Sequence, residues 1–97
     1  MKTIEVREIE KVNNPILIDI RNFDNYILGH IDGAINVPMN ELLYNTKEYL
    51  DFDHTYYIYC EIGFTSSKVC NILNKDGYKT ISINGGYKEY KLYNKIM

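Results

Sequence analysis

The chain has 97 residues, 45 % hydrophobic and 25 % charged, with a formal net charge of −2. This length fits one domain, and roughly 60–65 % of its unfolded surface can be buried, enough for a modest core without disulfides or metals. No apolar run approaches the ~18 residues of a membrane span, the charged start MKTIEVREIEKVNN holds no signal-peptide core, and no dense Lys/Arg cluster with interleaved aromatics suits nucleic acid. A cytoplasmic protein that binds neither membrane nor nucleic acid is expected.

In chain order, TIEV (3–6) reads as an edge strand and PILIDI (15–20) as a buried strand opened by Pro15. Asn22 is placed to cap a helix over 22–28 with Phe23, Tyr26 and Ile27 on one face. AINVP (34–38) is a short strand closed by Pro38. Residues 40–50, with Leu42, Leu43, Tyr49 and Leu50, read as one or two short helices, and TYYIYC (55–60) as a second buried strand. The next helix, over 66–76, follows Thr65 or Ser66 as cap, turns Val69, Cys70, Ile72 and Leu73 inward, and stops before Gly77. KTISIN (79–84), between Gly77 and Gly85-Gly86, is the third buried strand. Residues 86–95 close the chain as a helix packing through Tyr87, Tyr90 and Tyr93. Alternation of this kind predicts an α/β fold with parallel strands, right-handed crossovers and helices on both faces of the sheet.

Charge is unevenly spread. Residues 1–59 carry five Lys/Arg against ten Asp/Glu, a net of −5, and residues 60–97 carry six Lys against three acids, a net of +3. Solvated helix faces explain this, as does a mildly positive surface for a small anion or an acidic partner. In a reducing compartment Cys60 and Cys70 are not expected to form a disulfide. With only His30 and His54 beside them, and no close spacing, a metal site is not expected either.

The segment CEIGFTSSKVC (60–70) carries the chemistry. Cys60 ends a central strand, at the sheet edge where open parallel sheets place their ligands. Gly63 permits positive φ, and a helix starts just beyond. Such a turn aims backbone N–H groups into one concavity with a helix N-terminus behind it. That field stabilises a thiolate, a persulfide or an oxyanion without a His base. A buried, inert cysteine fits the same Cys-x-x-Gly spacing, and the spacing alone leaves both readings open.

Four segments together resemble the rhodanese-like domain family. ILIDIR (16–21) is similar to the family's strand ending in Asp-x-Arg, and YILGHIDGAINVP (26–38) to its Gly-His-Ile-x-Gly-Ala-x-Asn-x-Pro signature. YIYCEIGFTSS (57–67) is similar to its catalytic strand and loop, and INGGYKEY (83–90) to its closing Gly-Gly segment. The resemblance implies a five-stranded, mostly parallel sheet flanked by helices on both faces. It also implies a sulfurtransferase in which Cys60 takes a sulfane sulfur from a donor, becomes a persulfide, and passes the sulfur to a thiophilic acceptor. Thiosulfate or a small persulfide is the implied donor, a sulfur donor or acceptor protein a further partner, and no cofactor is implied. Cys60 is then the catalytic residue. Glu61, Ile62, Gly63, Phe64, Thr65 and Ser66 form the substrate-binding loop, whose amides stabilise the sulfur and whose Thr65 and Ser66 hydroxyls bond the outer sulfur or the donor's oxygens.

Two alternatives stand beside this reading. One is a binding module of the same fold, with Cys60 incidental. The other is a phosphatase or arsenate reductase, but those relatives use a loop one residue longer that ends in Arg. A phosphoryl group calls for bidentate cationic donors, and the loop here has no Arg. Thr65 stands where many members carry Arg and the loop lacks a side-chain cation, so weak thiosulfate binding is expected; Glu61 is expected to face solvent, where screening makes its negative charge beside Cys60 minor. His30 is expected to fix a turn, Asp19 and Arg21 to pair, and Cys70 to pack in the core. Phe64, at the loop tip, is a candidate contact for a donor or partner. The Glu that the family places before Tyr26 is Asn25 here, preceded by Asp24.

Overall fold

The computed structural model describes residues 2–96. Its strands β1 (Thr3–Glu5), β2 (Ile16–Asp19), β3 (Ile35–Asn36), β4 (Thr55–Tyr59) and β5 (Lys79–Asn84) form one sheet in the order β1-β5-β4-β2-β3. Every pairing is parallel. Helices α1 (Val6–Ile9), α2 (Phe23–Leu28), α3 (Met39–Tyr44), α4 (Thr46–Tyr49), α5 (Phe64–Lys75) and α6 (Gly86–Ile96) lie along the rest of the chain. The expected five-stranded α/β sheet is therefore the one observed. Among the described residues no helix is long and apolar enough to cross a membrane.

The two-residue period of the strands divides the core. On β4 and just past it, Tyr56, Ile58 and Cys60 turn to one face, where Ile18, Leu42, Val69, Cys70 and Leu73 join them. Tyr59 turns to the other face with Leu17, Ile83 and Val6, and partly buried Tyr57, Tyr87, Tyr90 and Tyr93 pack against that cluster. Burying one such aliphatic side chain contributes about 1.5–3 kcal/mol, so the central strands tolerate no change of register without turning their apolar set outward. Ile58 stands level with Ile18 on one side and Ser82 on the other, which fixes how β2, β4 and β5 end relative to one another.

Three local expectations are corrected. Phe23 and Ile27 of α2 are 58 % and 59 % exposed. This six-residue helix buries none of its side chains and is held by its Asn22 cap and by the Tyr26 hydroxyl, which donates to the Ala34 carbonyl at 2.6 Å. Ile72 is 48 % exposed, because α5 meets the sheet through Ser66, Val69, Cys70 and Leu73, and Ile72 falls on the flank of that stripe. The helix also begins at Phe64, two residues before the expected start, so neither Thr65 nor Ser66 is its cap.

Strand order reverses between β2 and β4: the chain leaves β2 toward β3 and leaves β4 toward β5 on the opposite side. In open α/β sheets the crevice beyond the carboxyl ends of two such strands is where ligands bind. Residues 20–21 and 60–61 occupy that position, and the Ile20 amide still donates to the Tyr59 carbonyl at 3.0 Å.

Candidate active site

Cys60 leaves β4 with its Sγ turned back over the following loop. The Gly63 amide donates to it at 3.1 Å and the Ser66 amide at 3.3 Å, while the thiol donates to Ser66 Oγ at 3.5 Å. This geometry follows from Gly63. Its φ of +107° turns the chain into α5 and places it at the N-cap position, where it has no side chain to accept from the first turn. The third amide of a helix is the one an N-cap side chain ordinarily satisfies. Here that amide belongs to Ser66, and the sulfur takes the place of the cap.

Of the loop side chains named from sequence, Ser66 is buried and Thr65 exposed. The Ser66 hydroxyl lies 2.8 Å from that of Ser82 and donates to the Gly63 carbonyl at 3.2 Å. It therefore braces the loop against β5. Ile62 and Phe64 are 50 % and 74 % exposed and form the rim. Behind the loop, the Cys60 and Glu61 carbonyls accept from the Tyr87 and Lys88 amides, each at 3.0 Å, so the start of α6 holds the loop from below.

Glu61 is exposed, as expected, and it also forms an ion pair. Its Oε1 accepts from Arg21 Nη1 at 3.1 Å. Arg21 itself is buried and binds Asp19 through Nε at 3.1 and 3.2 Å and through Nη2 at 2.8 Å, and Nη2 also donates to the Gly29 carbonyl at 2.6 Å. The guanidinium lies 4.2 Å from the centre of the Tyr87 ring. Burial opposes its charge, but the hydrogen bonds and charge of Asp19, then the bond to Glu61, hold Arg21 protonated well above its ordinary range. Thus Asp19 and Arg21 pair as expected. Glu61 and the Gly29 carbonyl fill the outer side of the guanidinium, in a chain with Asn25 before Tyr26.

His30 stacks on Tyr26 with ring centres 3.9 Å apart, and its Nδ1 lies 2.9 Å from the Tyr26 carbonyl, which ties the turn after α2. Cys70 is fully buried, free of any disulfide, and its thiol is pushed up to about 11, chiefly by burial. A thiol whose pKa is higher folded than unfolded supports the fold below its ordinary value of 9.0 and loses that support as the pH rises through about 11. That difference corresponds to about 2–3 kcal/mol. Cys70→Ala is expected to flatten the fall in urea midpoint between those two pH values; an unchanged slope would assign the fall to other groups.

A cysteine whose sulfur accepts from two loop amides thus stands at the switch point of a five-stranded parallel sheet in a small α/β domain. The chain belongs to the rhodanese-like domain family, whose model matches residues 4–93. The putative sulfurtransferase YtwF of Bacillus subtilis is 33 % identical over 79 residues, which cover 81 % of this chain and 76 % of that one. The tRNA uridine(34) hydroxylase of Buchnera aphidicola is 32 % identical over 92 residues, 89 % of this chain but only 30 % of the relative's length. Among solved structures, a rhodanese-related protein of Thermoplasma volcanium matches 96 % of this chain and 93 % of its own with a TM-score of 0.87. At 24 % identity that likeness concerns the fold.

Proposed function

We propose that the protein is a sulfurtransferase whose sulfur carrier is Cys60. The observation that carries this reading is the pair of backbone amides on Sγ, at 3.1 and 3.3 Å. Hydrogen bonds to an ionised acceptor are about twice as strong as neutral ones, so these two amides are placed to hold a sulfur that carries negative charge during transfer. The thiolate attacks the outer sulfur of a donor R–S–S⁻. A bond from Sγ to that sulfur forms, the donor's S–S bond breaks, and R–S⁻ leaves with the electron pair. The persulfide then passes its outer sulfur to a thiophilic acceptor, and Cys60 returns to the thiolate. The YtwF name, at 33 % identity, agrees with this chemistry.

Thiosulfate is a poor donor in this reading. The loop brings no cation of its own, and four of the five N–H donors of Arg21 are committed to Asp19, Gly29 and Glu61. With cyanide as acceptor, thiocyanate release is expected with a KM for thiosulfate above ~1 mM, the upper end of ordinary values, and none from Cys60→Ala. A KM well below that would overturn the weak-thiosulfate part. Equal thiocyanate release by Cys60→Ala would overturn the carrier itself.

Exposed Ile62 and Phe64 on the rim favour a second reading, a protein-binding module in which the same rim is the contact surface. A Cys60 that never gains sulfur from any donor would favour it. Phosphoryl or arsenate chemistry finds no bidentate cation at the loop.

A further inference from the structure

Strand β5 turns two polar residues, Thr80 and Ser82, toward α5 at positions where a strand ordinarily presents apolar ones to the core, and both are buried. A buried hydroxyl is costly unless it is hydrogen-bonded. The Thr80 hydroxyl donates to the Asn74 side chain at 2.8 Å, which ties β5 to the end of α5. The Ser82 hydroxyl lies instead 2.8 Å from Ser66 Oγ, and Ser66 touches the sulfur. A hydroxyl has a single proton to donate. With that of Ser66 on the Gly63 carbonyl at 3.2 Å, the proton in the 2.8 Å contact is the one on Ser82. Ser66 Oγ then accepts twice, from the Cys60 thiol and from Ser82, and donates once. The Gly63 carbonyl has a second donor, the Ser67 amide at 3.1 Å, so it can release the Ser66 proton without being left unpaired.

We infer, resting on the sulfur-carrier reading above, that Ser82 is a positioning residue for sulfur transfer. It keeps Ser66 Oγ supplied with a donor, so that the Ser66 hydroxyl is free to turn from Gly63 to Sγ when negative charge forms there. The acceptor attacks the outer sulfur of the Cys60 persulfide. A bond from the acceptor to that sulfur forms, the bond from that sulfur to Sγ breaks, and the electron pair returns to Sγ. No oxidant or reductant is consumed. The proton that the thiol gave to Ser66 is absent at this stage, and the Ser66 O–H takes its place in the same contact, pointing the other way. Sγ is then held by three donors, the Gly63 and Ser66 amides and the Ser66 hydroxyl. Ser82 acts on the sulfur only through Ser66.

The test loads the protein from a small organic persulfide, checks the added sulfur by intact mass, and follows single-turnover discharge to cyanide. Ser66→Ala is expected to slow discharge by about 10-fold or more, as loss of a donor to a charged group does. Ser82→Ala is expected to slow it by about 2- to 10-fold, the equivalent of one neutral hydrogen bond. Ser82→Thr, which keeps a hydroxyl, is expected to regain most of that loss. Because Ser82 acts through Ser66, adding Ser82→Ala to Ser66→Ala is expected to slow discharge by less than about 2-fold further. A loop merely loosened by the loss of Ser82 would slow both backgrounds alike. That result, or wild-type discharge by Ser82→Ala, would overturn the role of Ser82 while leaving the carrier intact. If the added methyl of Ser82→Thr does not fit the buried position, the comparison of the two backgrounds still decides. A wild type that holds no sulfur before cyanide is added would instead overturn the carrier reading, and the role of Ser82 with it.

Discussion

Arg21→Met is expected to destabilise the fold by about 3–5 kcal/mol, the usual cost of leaving one partner of a buried ion pair without the other. Asp19 is fully buried, and its carboxylate is neutralised and hydrogen-bonded by Arg21. Removal of the guanidinium leaves that charge in the core, strips the Gly29 carbonyl of a donor, and releases Glu61 beside the loop. Urea unfolding gives the cost as a shift in midpoint at constant slope. The double variant Asp19→Asn/Arg21→Met is expected to recover a substantial part of it, because the uncompensated charge is gone. A cost below about 1 kcal/mol, the range of an exposed pair, would mean that the network contributes little to holding β2 against the loop.

The second large effect lies on the other side of the loop. Gly86 opens α6 at a φ of +59°, and a Cβ there would fall onto the Cys60 and Glu61 carbonyl oxygens. Gly86→Ala is expected to cost roughly 2–5 kcal/mol, from the left-handed conformation at about 1–2 kcal/mol and from loss of the two loop hydrogen bonds at about 0.5–1.5 kcal/mol each. Because backbone oxygens cannot swing aside as a flexible side chain does, relief must come from moving α6 away from the loop. Discharge of the persulfide is therefore expected to slow together with the loss of stability. A variant with wild-type stability and rate would show that the Tyr87 and Lys88 amides do not position the loop.

Much of this architecture is legible in the sequence, for reasons that differ from element to element. The third buried strand, 79–84, coincides with β5 to the residue, because a glycine stands shortly before it and two glycines directly after it. The four-residue α1 escapes the reading. Its residues, Val6–Ile9, show no apolar period, and it is fixed by the Glu8 carboxylate accepting from the Glu5 amide at 3.0 Å. The start of α5 is misplaced because Thr65 and Ser66 carry hydroxyl groups that ordinarily mark an N-cap, whereas the cap position belongs to a left-handed glycine. At the site, Cys60 and its glycine are visible in one short segment. The pairing of Glu61 with Arg21 is not, since it joins residues forty apart in sequence where β2 and β4 end side by side. A cleft lined by Arg21, Gly29, Glu61, Tyr87 and Lys91 is hidden for the same reason: it joins three segments that only the sheet order brings together.

The central claim is that Cys60 carries sulfur, and intact-protein mass after incubation with a small organic persulfide tests it most directly. The account predicts a gain of one sulfur atom on the wild type, removed by cyanide or by reductant, and no gain on Cys60→Ala. Cys70, buried and with its thiol pushed up to about 11, is not expected to take its place. A wild-type mass unchanged by persulfide, or an equal cyanide-labile gain on Cys60→Ala, would contradict the account.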